Sequence, residues 1–374
     1  MNKLLIFLIL LLSINLLSAD YYQNNLKDNE KEKNKNETNI KKSSDSFIFI
    51  PGYSFSSGVG SKVSGTFLYY DKKYSSSFPN SFKAKVKYGS QKEFSFGVSH
   101  SRYFLNRYYI LTTSFTTGRY SSSLYPIHSK KKSKVSPEAY DTSNNYFNIG
   151  FRFKKYKFFY FGPSYTFSHY NITSKKDNGV LENNLINGSE KTLASGVGLI
   201  ISKEERENRH YPSYGYFTSF NNYIYPSFLG SSTLYDTMSF SFKSFHSLYR
   251  RIIFAFQFYT RAVFGDAPFQ KMSYLGGENI LRGYNSSKYF DRRFMGTQFE
   301  IRFPVFWRFS GTLFAGAAQV TDDFFNHFNK PWKVSAGFGF RFRLDPKDNI
   351  NFRLDFAYNE NGDMYMYITT LEAF

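Results

Sequence analysis

The sequence contains no cysteine, which excludes disulfide bonds, thiolate metal sites and a lipoprotein anchor. Beyond its N-terminus it also lacks any apolar run of about 18 residues, the length that a membrane-spanning helix requires. The mean hydropathy is negative, at −0.44. Together these absences exclude a helical membrane protein, but they do not decide the compartment in which the chain resides.

The sequence also has little that supports catalysis. Its histidines lie at positions 100, 128, 169, 210, 246 and 327. His327 follows Asp322 and Asp323 closely, but no nucleophile accompanies them. No phosphate-binding loop, metal-ligand cluster or dinucleotide motif is present. We therefore expect neither enzymatic activity nor a cofactor.

Aromatic residues are abundant, with 45 Phe and 32 Tyr in 374 residues. Many aromatic residues without a long apolar run indicate strands with one apolar and one polar face, which is typical of a transmembrane β-barrel. A soluble β-sandwich or a lipocalin-like barrel would also show alternation, but it would not need aromatic residues in nearly every strand. The composition therefore favours the membrane barrel.

The N-terminal region separates into two segments. Residues 1–19 have a basic start at Lys3, an apolar core and a small-residue exit, which predicts a secretory signal peptide cleaved after Ala19. A short membrane anchor is the alternative, but no basic stop-transfer cluster follows. Residues 20–45 are rich in Asn, Lys, Glu and Ser, so we predict a disordered periplasmic segment.

Residues 46–374 read as a series of alternating runs separated by turn residues. The predicted strands are 46–56, 59–71, 81–90, 92–103, 106–117, 144–154, 156–168, 191–202, 213–223, 234–245, 251–263, 292–304, 309–319, 333–343, 349–358 and 364–373. An even number of strands is typical of single-chain bacterial barrels. The pattern leaves open whether the first two runs are separate strands. The predicted fold is therefore an all-β, 16-stranded antiparallel transmembrane β-barrel.

The run 292–304 shows the alternation clearly. Phe299, Ile301 and Phe303 fall on one face of the strand. The opposite face carries Gln298, Glu300 and Arg302. A period of two with polar groups on one face predicts a lipid-facing wall and a lumen-facing wall.

The lengths of the connections predict which end of the barrel faces outward. The long connections are 118–143, 169–190, 224–233, 264–291 and 320–332, and the short ones are 155, 246–250, 305–308 and 345–348. Long outer loops alternate with short periplasmic turns in such barrels. The connections 72–80, 203–212 and 359–363 depart from this rule. The rule places 264–291 among the outer loops.

This outer connection contains the most distinctive motif, Gly265 to Tyr284. Its key positions are Gly276, Gly277, Leu281, Arg282, Gly283 and Tyr284. Taken alone, the motif could be a glycine-rich turn with a solvated arginine. As a whole it resembles the signature loop of the BamA/TamA superfamily, the assembly and translocation barrels of bacterial outer membranes. The resemblance implies that the loop folds into the barrel and that Arg282 meets an acidic group on the inner wall.

Further stretches resemble the same family. The segment 203–215 is similar to its acidic-x-Arg-Asp-Asn stretch ahead of Pro-x-x-Gly, although a capped, charged turn would read alike. The segments 300–304, 337–341 and 354–358 resemble strands in the C-terminal half of the family's barrel. The sequence ends in Phe374, and a terminal aromatic residue implies an outer-membrane sorting signal that the barrel assembly machinery reads during biogenesis.

One position departs from the family pattern. The family strand after Pro304 often reads Phe-x-Asp-x-Gly, and its Asp helps to hold the loop arginine, whereas this chain has Gly316 there. A guanidinium group in a partly dry lumen needs a carboxylate partner. We therefore predict an ion pair between Arg282 and Glu300, with Glu278 and Asp355 as alternative partners.

The basic charge has to be reconciled with this interpretation. The formal net charge is +19, and phosphates of nucleic acid would be attracted to it. The predicted signal peptide and strand pattern argue against nucleic acid. We expect the charge in the outer loops, as at Lys130–Lys132, and in the lumen, where the basic residues are Lys83, Lys85, Lys87, Arg152, Arg341 and Arg343. There it would meet lipopolysaccharide phosphates, outer-membrane lipids or anionic solutes.

Two functions follow from the resemblance. The first is protein insertion into, or translocation across, the bacterial outer membrane through weak pairing of the first and last strands. The second is a family-derived passive channel, anion-preferring, or a surface structural barrel. Residues 20–45 are too few for a periplasmic POTRA domain, which favours the second function. A separate POTRA-bearing periplasmic partner would restore the first.

Overall fold

The computed structural model describes residues 45–56, 60–71, 78–90, 93–105, 107–125, 137–177, 179–248, 252–286, 288–324, 330–345 and 350–374. The predicted signal peptide and all but residue 45 of the predicted disordered segment lie outside these residues. The same holds for Lys130–Lys132 and for two of the histidines, His128 and His327. Among the described residues, no helix is long and apolar enough to cross a membrane.

Sixteen strands close into one antiparallel barrel, as the sequence predicts. They are β1 (Ser46–Ser56), β2 (Gly60–Asp71), β3 (Asn80–Gly89), β4 (Phe94–Phe104), β5 (Tyr109–Leu124), β6 (Glu138–Tyr156), β7 (Phe159–Ser174), β8 (Thr192–Glu204), β9 (Gly215–Tyr225), β10 (Tyr235–Ser247), β11 (Ile253–Gly265), β14 (Arg293–Phe306), β15 (Phe309–Thr321), β16 (Lys333–Asp345), β17 (Ile350–Asn359) and β18 (Met364–Thr370). Two further short strands, β12 (Ser273–Leu275) and β13 (Tyr289–Asp291), pair with each other in the connection between β11 and β14.

The predicted alternation becomes the two faces of the barrel wall. On β14, Phe299 and Ile301 are 41% and 42% exposed, whereas Glu300 and Arg302 are fully buried. Aromatic and aliphatic side chains therefore cover the outside, and polar side chains line the inside. This arrangement matches the environment of a membrane barrel, in which lipid contacts the outer face.

Several strand boundaries differ from the sequence prediction. β5 and β6 continue to Leu124 and back to Glu138, through stretches that were predicted as loop. The additional residues pair regularly, from Arg119 opposite Ser143 to Leu124 opposite Glu138. Ser, Thr and Tyr in these stretches suit a strand without supplying the apolar face that marks a membrane span. The sequence pattern therefore located the lipid-facing part of the hairpin rather than its end.

The barrel closes at a short seam. β1 and β2 are separate strands, and β1 pairs with β2 over its whole length. In contrast, β1 pairs with β18 only through Tyr53–Ser56 and Tyr365–Ile368. β18 ends at Thr370 and not at residue 373, because Leu371 adopts a positive φ of 63° and turns the chain away from the wall. β1 therefore pairs with β18 through its last four residues, whereas it pairs with β2 through all eleven.

The connection between β11 and β14, residues 266–292, folds into the barrel. Leu275, Leu281 and Tyr284 of this connection are buried against Phe294 of β14 and Ala318 of β15. Its two short strands β12 and β13 form a small hairpin of their own. We call residues 266–292 the lumenal loop.

Candidate functional site

Glycines give the lumenal loop its sharp bends. Gly276, Gly277 and Gly283 have φ angles of 102°, 119° and 99°, a region that side chains with a Cβ rarely adopt. A Cβ on Gly276 would lie 2.7 Å from the carbonyl oxygen of Tyr284. Leu281 has a φ of 48°, which is unusual for a residue other than glycine. These bends bring both ends of the motif together and direct Arg282 toward the wall.

The barrel wall has small residues where the lumenal loop packs against it. Leu281 packs with Leu275, Phe294 and Ala318. A Cβ on Gly316 would lie 3.3 Å from Leu281 Cδ1. The glycine at this position therefore lies under an apolar side chain of the loop.

Hydrogen bonds fix the lumenal loop to four strands. The Gly283 N–H donates to the Tyr367 hydroxyl at 3.1 Å, and Asn359 Nδ2 donates to the Gly283 carbonyl oxygen at 2.9 Å. On the opposite side, Gln298 Nε2 donates to the Asn279 carbonyl oxygen at 2.5 Å. The Tyr284 hydroxyl reaches the carbonyl oxygen of Val334 at 2.9 Å. The loop is therefore bound to β14, β16, β17 and β18.

The Arg282 guanidinium group is divided between two carboxylates. Its Nη2 lies 2.5 Å from Glu300 Oε1, and its Nη1 lies 2.6 Å from Asp355 Oδ2. The guanidinium carbon lies 3.5 Å from the centre of the Phe314 ring. Arg282 thus contacts Glu300, the partner chosen from the sequence, together with Asp355, one of the two alternatives. Each carboxylate accepts from a single nitrogen of the Arg282 guanidinium group, so neither contact is bidentate.

Glu278, the other alternative, occupies a different electrostatic environment. Burial alone would raise the pKa of its carboxyl group, but the positive charges of Lys87, Lys85 and Arg353 outweigh burial and lower the pKa. Two of these cations belong to β3, which is four strands from β17 in the barrel. The Glu278 carboxyl group therefore lies between the lysines of β3 and Arg353 of β17.

The ion pair belongs to a larger buried network. Arg302 Nε donates to Glu300 at 2.9 Å, Arg341 Nη1 to Asp355 at 2.6 Å, and Arg353 lies 3.4 Å from Asp355. All of these side chains are at most 1% exposed. With Glu372, whose Oε2 lies 2.8 Å from Arg341 Nε, they form what we call the lumenal ion cluster, which consists of Arg282, Arg302, Arg341, Arg353, Glu300, Asp355 and Glu372.

The last residues of the sequence join this cluster. Glu372 accepts hydrogen bonds from Arg341 and from Asn351 Nδ2, the latter at 2.8 Å. The Phe374 ring is buried against Phe245, and the Phe374 carbonyl oxygen accepts from Arg302 at 3.3 Å. The sequence pattern predicts residues 371–373 as strand and gives no signal for Glu372. Only the turn at Leu371 places the Glu372 side chain in the lumen. The sorting role of Phe374 remains a prediction.

The 203–215 motif folds as a capped turn between β8 and β9. Arg206 makes two hydrogen bonds of 2.7 Å with Glu204. Glu207 accepts from the backbone N–H groups of Ser213 and Tyr214. Gly215 has a φ of 98° and begins β9. The motif therefore stabilises its own turn, and its Tyr211 ring lies 5.6 Å from the guanidinium carbon of Arg302 in the lumenal ion cluster.

Lys271 provides a second attachment of the lumenal loop, which sequence analysis missed. Its ammonium group donates to Ser168 Oγ at 2.7 Å and lies 5.5 to 5.9 Å from the ring centres of Tyr146, Tyr170 and Tyr225. These residues belong to β6, β7 and β9. The loop is therefore held by Arg282 on one side of the lumen and by Lys271 on another.

The buried ammonium group makes stability depend on pH. Burial, with a further contribution from the Arg261 charge, lowers the pKa of Lys271 to about 7. Between that value and the ordinary lysine pKa, the unfolded chain binds more protons than the folded chain, so stability rises with pH. We expect the apparent melting temperature in detergent to rise from pH 7 to pH 9, and the rise to be smaller in Lys271→Met.

Lys288→Met is the matched control, because Lys288 lies in the same loop but is not among the residues that surround the Lys271 ammonium group. It should retain the pH dependence of the unmodified chain. Equal pH dependence in both variants would show that Lys271 is not the group responsible.

The arrangement is suited to holding a loop, because every charged group of the cluster is engaged by an opposite charge. In the described part of the chain, no group of three His, Cys, Asp or Glu residues could hold a metal ion.

Both the sequence and the fold are similar to those of known proteins. A profile described as the Omp85 superfamily domain matches residues 78–366. No curated protein matches the sequence. The structure is similar to BamA from Haemophilus ducreyi lacking POTRA domains 1–3, with a TM-score of 0.58, 14% identity, and coverage of 88% of this chain and 70% of that one.

Two further similar structures are CdiB proteins. CdiB from Escherichia coli has a TM-score of 0.57 at 11% identity, covering 86% of this chain and 62% of that one. CdiB from Acinetobacter baumannii has a TM-score of 0.54 at 11% identity, covering 88% and 60% respectively. The chain therefore spans less than two thirds of either CdiB protein, and at such identities the likeness shows the fold alone.

Proposed function

Because the chain belongs to the Omp85 superfamily, we propose that it is an outer-membrane barrel that inserts proteins into that membrane or moves them across it. The family and the barrel fold support an insertion or translocation type of protein. The finer role is our proposal, and one observation carries it: the seam between β1 and β18 is much shorter than β1 itself.

The seam provides a route for lateral opening. Breaking it removes only the ladder between Tyr53–Ser56 and Tyr365–Ile368. The strand edge that this exposes can pair with an incoming strand, because unpaired backbone groups are a template for strand addition. In this mechanism a client strand adds to β1, of which only the last four residues pair with β18.

The lumenal loop and the chain end keep the remaining wall rigid while the seam opens. Arg282 links the loop to β14 and β17 through Glu300 and Asp355. Glu372 and Phe374 bind Arg341 and Arg302 on the lumen side of the same wall. The part of the barrel next to the seam is therefore supported from within.

The described residues between 45 and 374 form the barrel and its loops. For client recognition we propose a separate POTRA-bearing periplasmic protein as partner, with the barrel assembly machinery acting during biogenesis. Affinity purification of the tagged chain from its native membrane should recover such a partner.

A cross-link across the seam tests the mechanism. Tyr53 and Ile368 lie directly opposite each other, and the chain has no other cysteine that could react. In a Tyr53→Cys/Ile368→Cys variant, oxidation should abolish the accelerated insertion of an urea-unfolded eight-stranded barrel into liposomes that contain the protein. A reductant should restore it. The measurement is the rate at which the client acquires heat-modifiable gel mobility.

The matched control places cysteines in an interior hairpin, at Phe242 and Phe258, which also lie opposite each other. Its oxidation should leave insertion unchanged. If the unmodified chain does not accelerate insertion, or if the oxidised seam variant works as well as the reduced one, the proposed mechanism is wrong.

A second candidate is an anion-preferring channel or surface barrel of the same family. The lumen-facing row Lys83, Lys85 and Lys87 on β3 favours it, because fixed positive charges attract anions into a pore. The loop and the chain end, which occupy the lumen, argue against a permanently open pore.

A further inference from the structure

A cavity of about 380 Å³ lies beside the lumenal loop, at the end of the barrel that carries the long connections. One side of its wall is formed by the extended part of the β5–β6 hairpin, and the other by the loop. Its volume falls within the range of small-molecule sites, roughly 300 to 1,000 Å³. Neither the ion cluster nor the seam includes any residue of this cavity.

The wall of the cavity carries no charged side chain, although the chain has a net charge of +19. It consists of aromatic rings and of hydroxyl and amide groups. The rings are Tyr120, Tyr140, Tyr170, Phe269, Tyr274 and Phe290. An ionic ligand would enter such a cavity without an opposite charge to offset its desolvation.

The rings are held in fixed orientations. Tyr274 stacks on Phe290 with centres 5.1 Å apart, and Tyr140 meets Phe269 edge-on at 5.7 Å. Tyr120 is half-buried and has no ring contact within the described part of the chain. The cavity thus combines rigid aromatic walls with one aromatic face that remains available.

Three side chains of the wall have a buried oxygen without a hydrogen-bond partner among the described residues: Thr142 Oγ1, Asn144 Oδ1 and Gln270 Oε1. Gln270 is oriented by its amide nitrogen, which donates to the Gly188 carbonyl oxygen at 2.7 Å. Unpaired buried polar atoms are unfavourable and uncommon. Gln270 Oε1 packs against Gly188, whereas a side-chain rotation of Thr142 or Asn144 would bring its oxygen within reach of a ligand hydroxyl group.

We propose that this cavity binds a neutral carbohydrate of one or two hexose units. Sugar hydroxyls can bond to the side chains of Thr142 and Asn144, and the C–H face of a pyranose ring packs against the electron-rich face of an aromatic ring such as Tyr120. An apolar ligand would leave both side-chain oxygens unpaired, and a phosphate would meet no charged side chain in the wall. This site is independent of protein insertion, and it would give the barrel a contact with neutral glycans outside the membrane.

Saturation-transfer difference NMR on the purified full chain tests the proposal. The chain is held in lauryldimethylamine oxide, a detergent without a sugar head group, and the probes are glucose, galactose, N-acetylglucosamine and maltose. Glucose 6-phosphate is the charged comparison. We expect saturation transfer to the ring protons of at least one neutral sugar and weaker transfer to the phosphate.

Two substitutions locate the site. Tyr120→Ala removes the available ring, and Thr142→Val removes a hydroxyl group with little change of shape. Each should weaken binding about tenfold, the effect of losing one buried hydrogen bond or ring contact. Tyr156→Ala, at the opposite end of β6, is the control and should bind as the unmodified chain does. Heat-modifiable gel mobility confirms that each variant is folded.

Three results would overturn the proposal: no transfer to any neutral sugar, preferential transfer to glucose 6-phosphate, or equal binding by the Tyr120→Ala/Thr142→Val double variant. Thr142→Val alone suffices if the tyrosine variant does not fold.

Discussion

A Glu300→Gln variant should lose about 3–5 kcal/mol of unfolding free energy, the range found when one member of a buried ion pair is removed. Glu300 accepts from Arg282 at 2.5 Å and from Arg302 at 2.9 Å, and all three side chains are fully buried. Glutamine can accept hydrogen bonds from these groups, but it does not neutralise them. The lumenal ion cluster would then contain four guanidinium groups and only two carboxylates.

The opposite substitution, Arg282→Met, should be less destabilising. The cluster contains four guanidinium groups and three carboxylates, so the loss of Arg282 leaves three of each. The loop loses an attachment, but no uncompensated charge is created. Counting contacts alone would predict the reverse order, because Arg282 contacts two acids and Phe314.

Urea unfolding in detergent, followed by tryptophan fluorescence and by heat-modifiable gel mobility, measures both variants. The double variant completes a cycle whose coupling term isolates the Arg282–Glu300 interaction. Glu360→Gln is the matched control, since Glu360 pairs with Lys333 and both side chains are partly exposed, and such pairs contribute little. A Glu300→Gln variant as stable as the unmodified chain would show that the pair does not hold the loop.

Removing the two charged side chains that attach the lumenal loop to the wall should open the lumen. In an Arg282→Met/Lys271→Met variant the loop loses its ion pairs with Glu300 and Asp355 and its hydrogen bond to Ser168. We expect planar bilayers with the unmodified chain to show small, irregular currents and the double variant to show a several-fold larger conductance. The larger current should be anion-selective, because Lys83, Lys85 and Lys87 project from β3 into the same lumen.

The control variant, Arg308→Met/Lys288→Met, removes the same charges without touching either attachment, and it should conduct as the unmodified chain does. Large, steady anion-selective currents through the unmodified chain would instead support the channel alternative. An unchanged conductance in the double variant would show that other contacts are enough to keep the loop inside.

The alternation of apolar and polar residues determined the barrel. It has a period of two, it is local, and it repeats in every strand, so the sixteen strands and the two faces of the wall follow from sequence alone. Phe299 and Ile301 are exposed and Glu300 is buried for this reason. The outer part of β5 and β6 does not need an apolar face for lipid, so the alternation of apolar and polar residues is weak there. The predicted strands therefore end before the observed ones.

The resemblance of the Gly276–Tyr284 motif to a known loop singled out Arg282 and three acidic candidates. The prediction named Glu300 first, and the structure adds Asp355, because these two acids lie on different strands and converge only through barrel closure and register. Gly316, which looked like a missing partner, instead accommodates Leu281.

Sequence by itself therefore determined the membrane-type barrel, its strand number and the segment that enters the lumen, since these depend on residues near each other in the chain. Only the tertiary structure decided which charges meet, how short the seam is, and that Lys271, Glu372 and Phe374 are buried in the lumen. Those features depend on residues far apart in sequence that closure of the cylinder brings within a few ångströms of one another, and no local pattern records such distances.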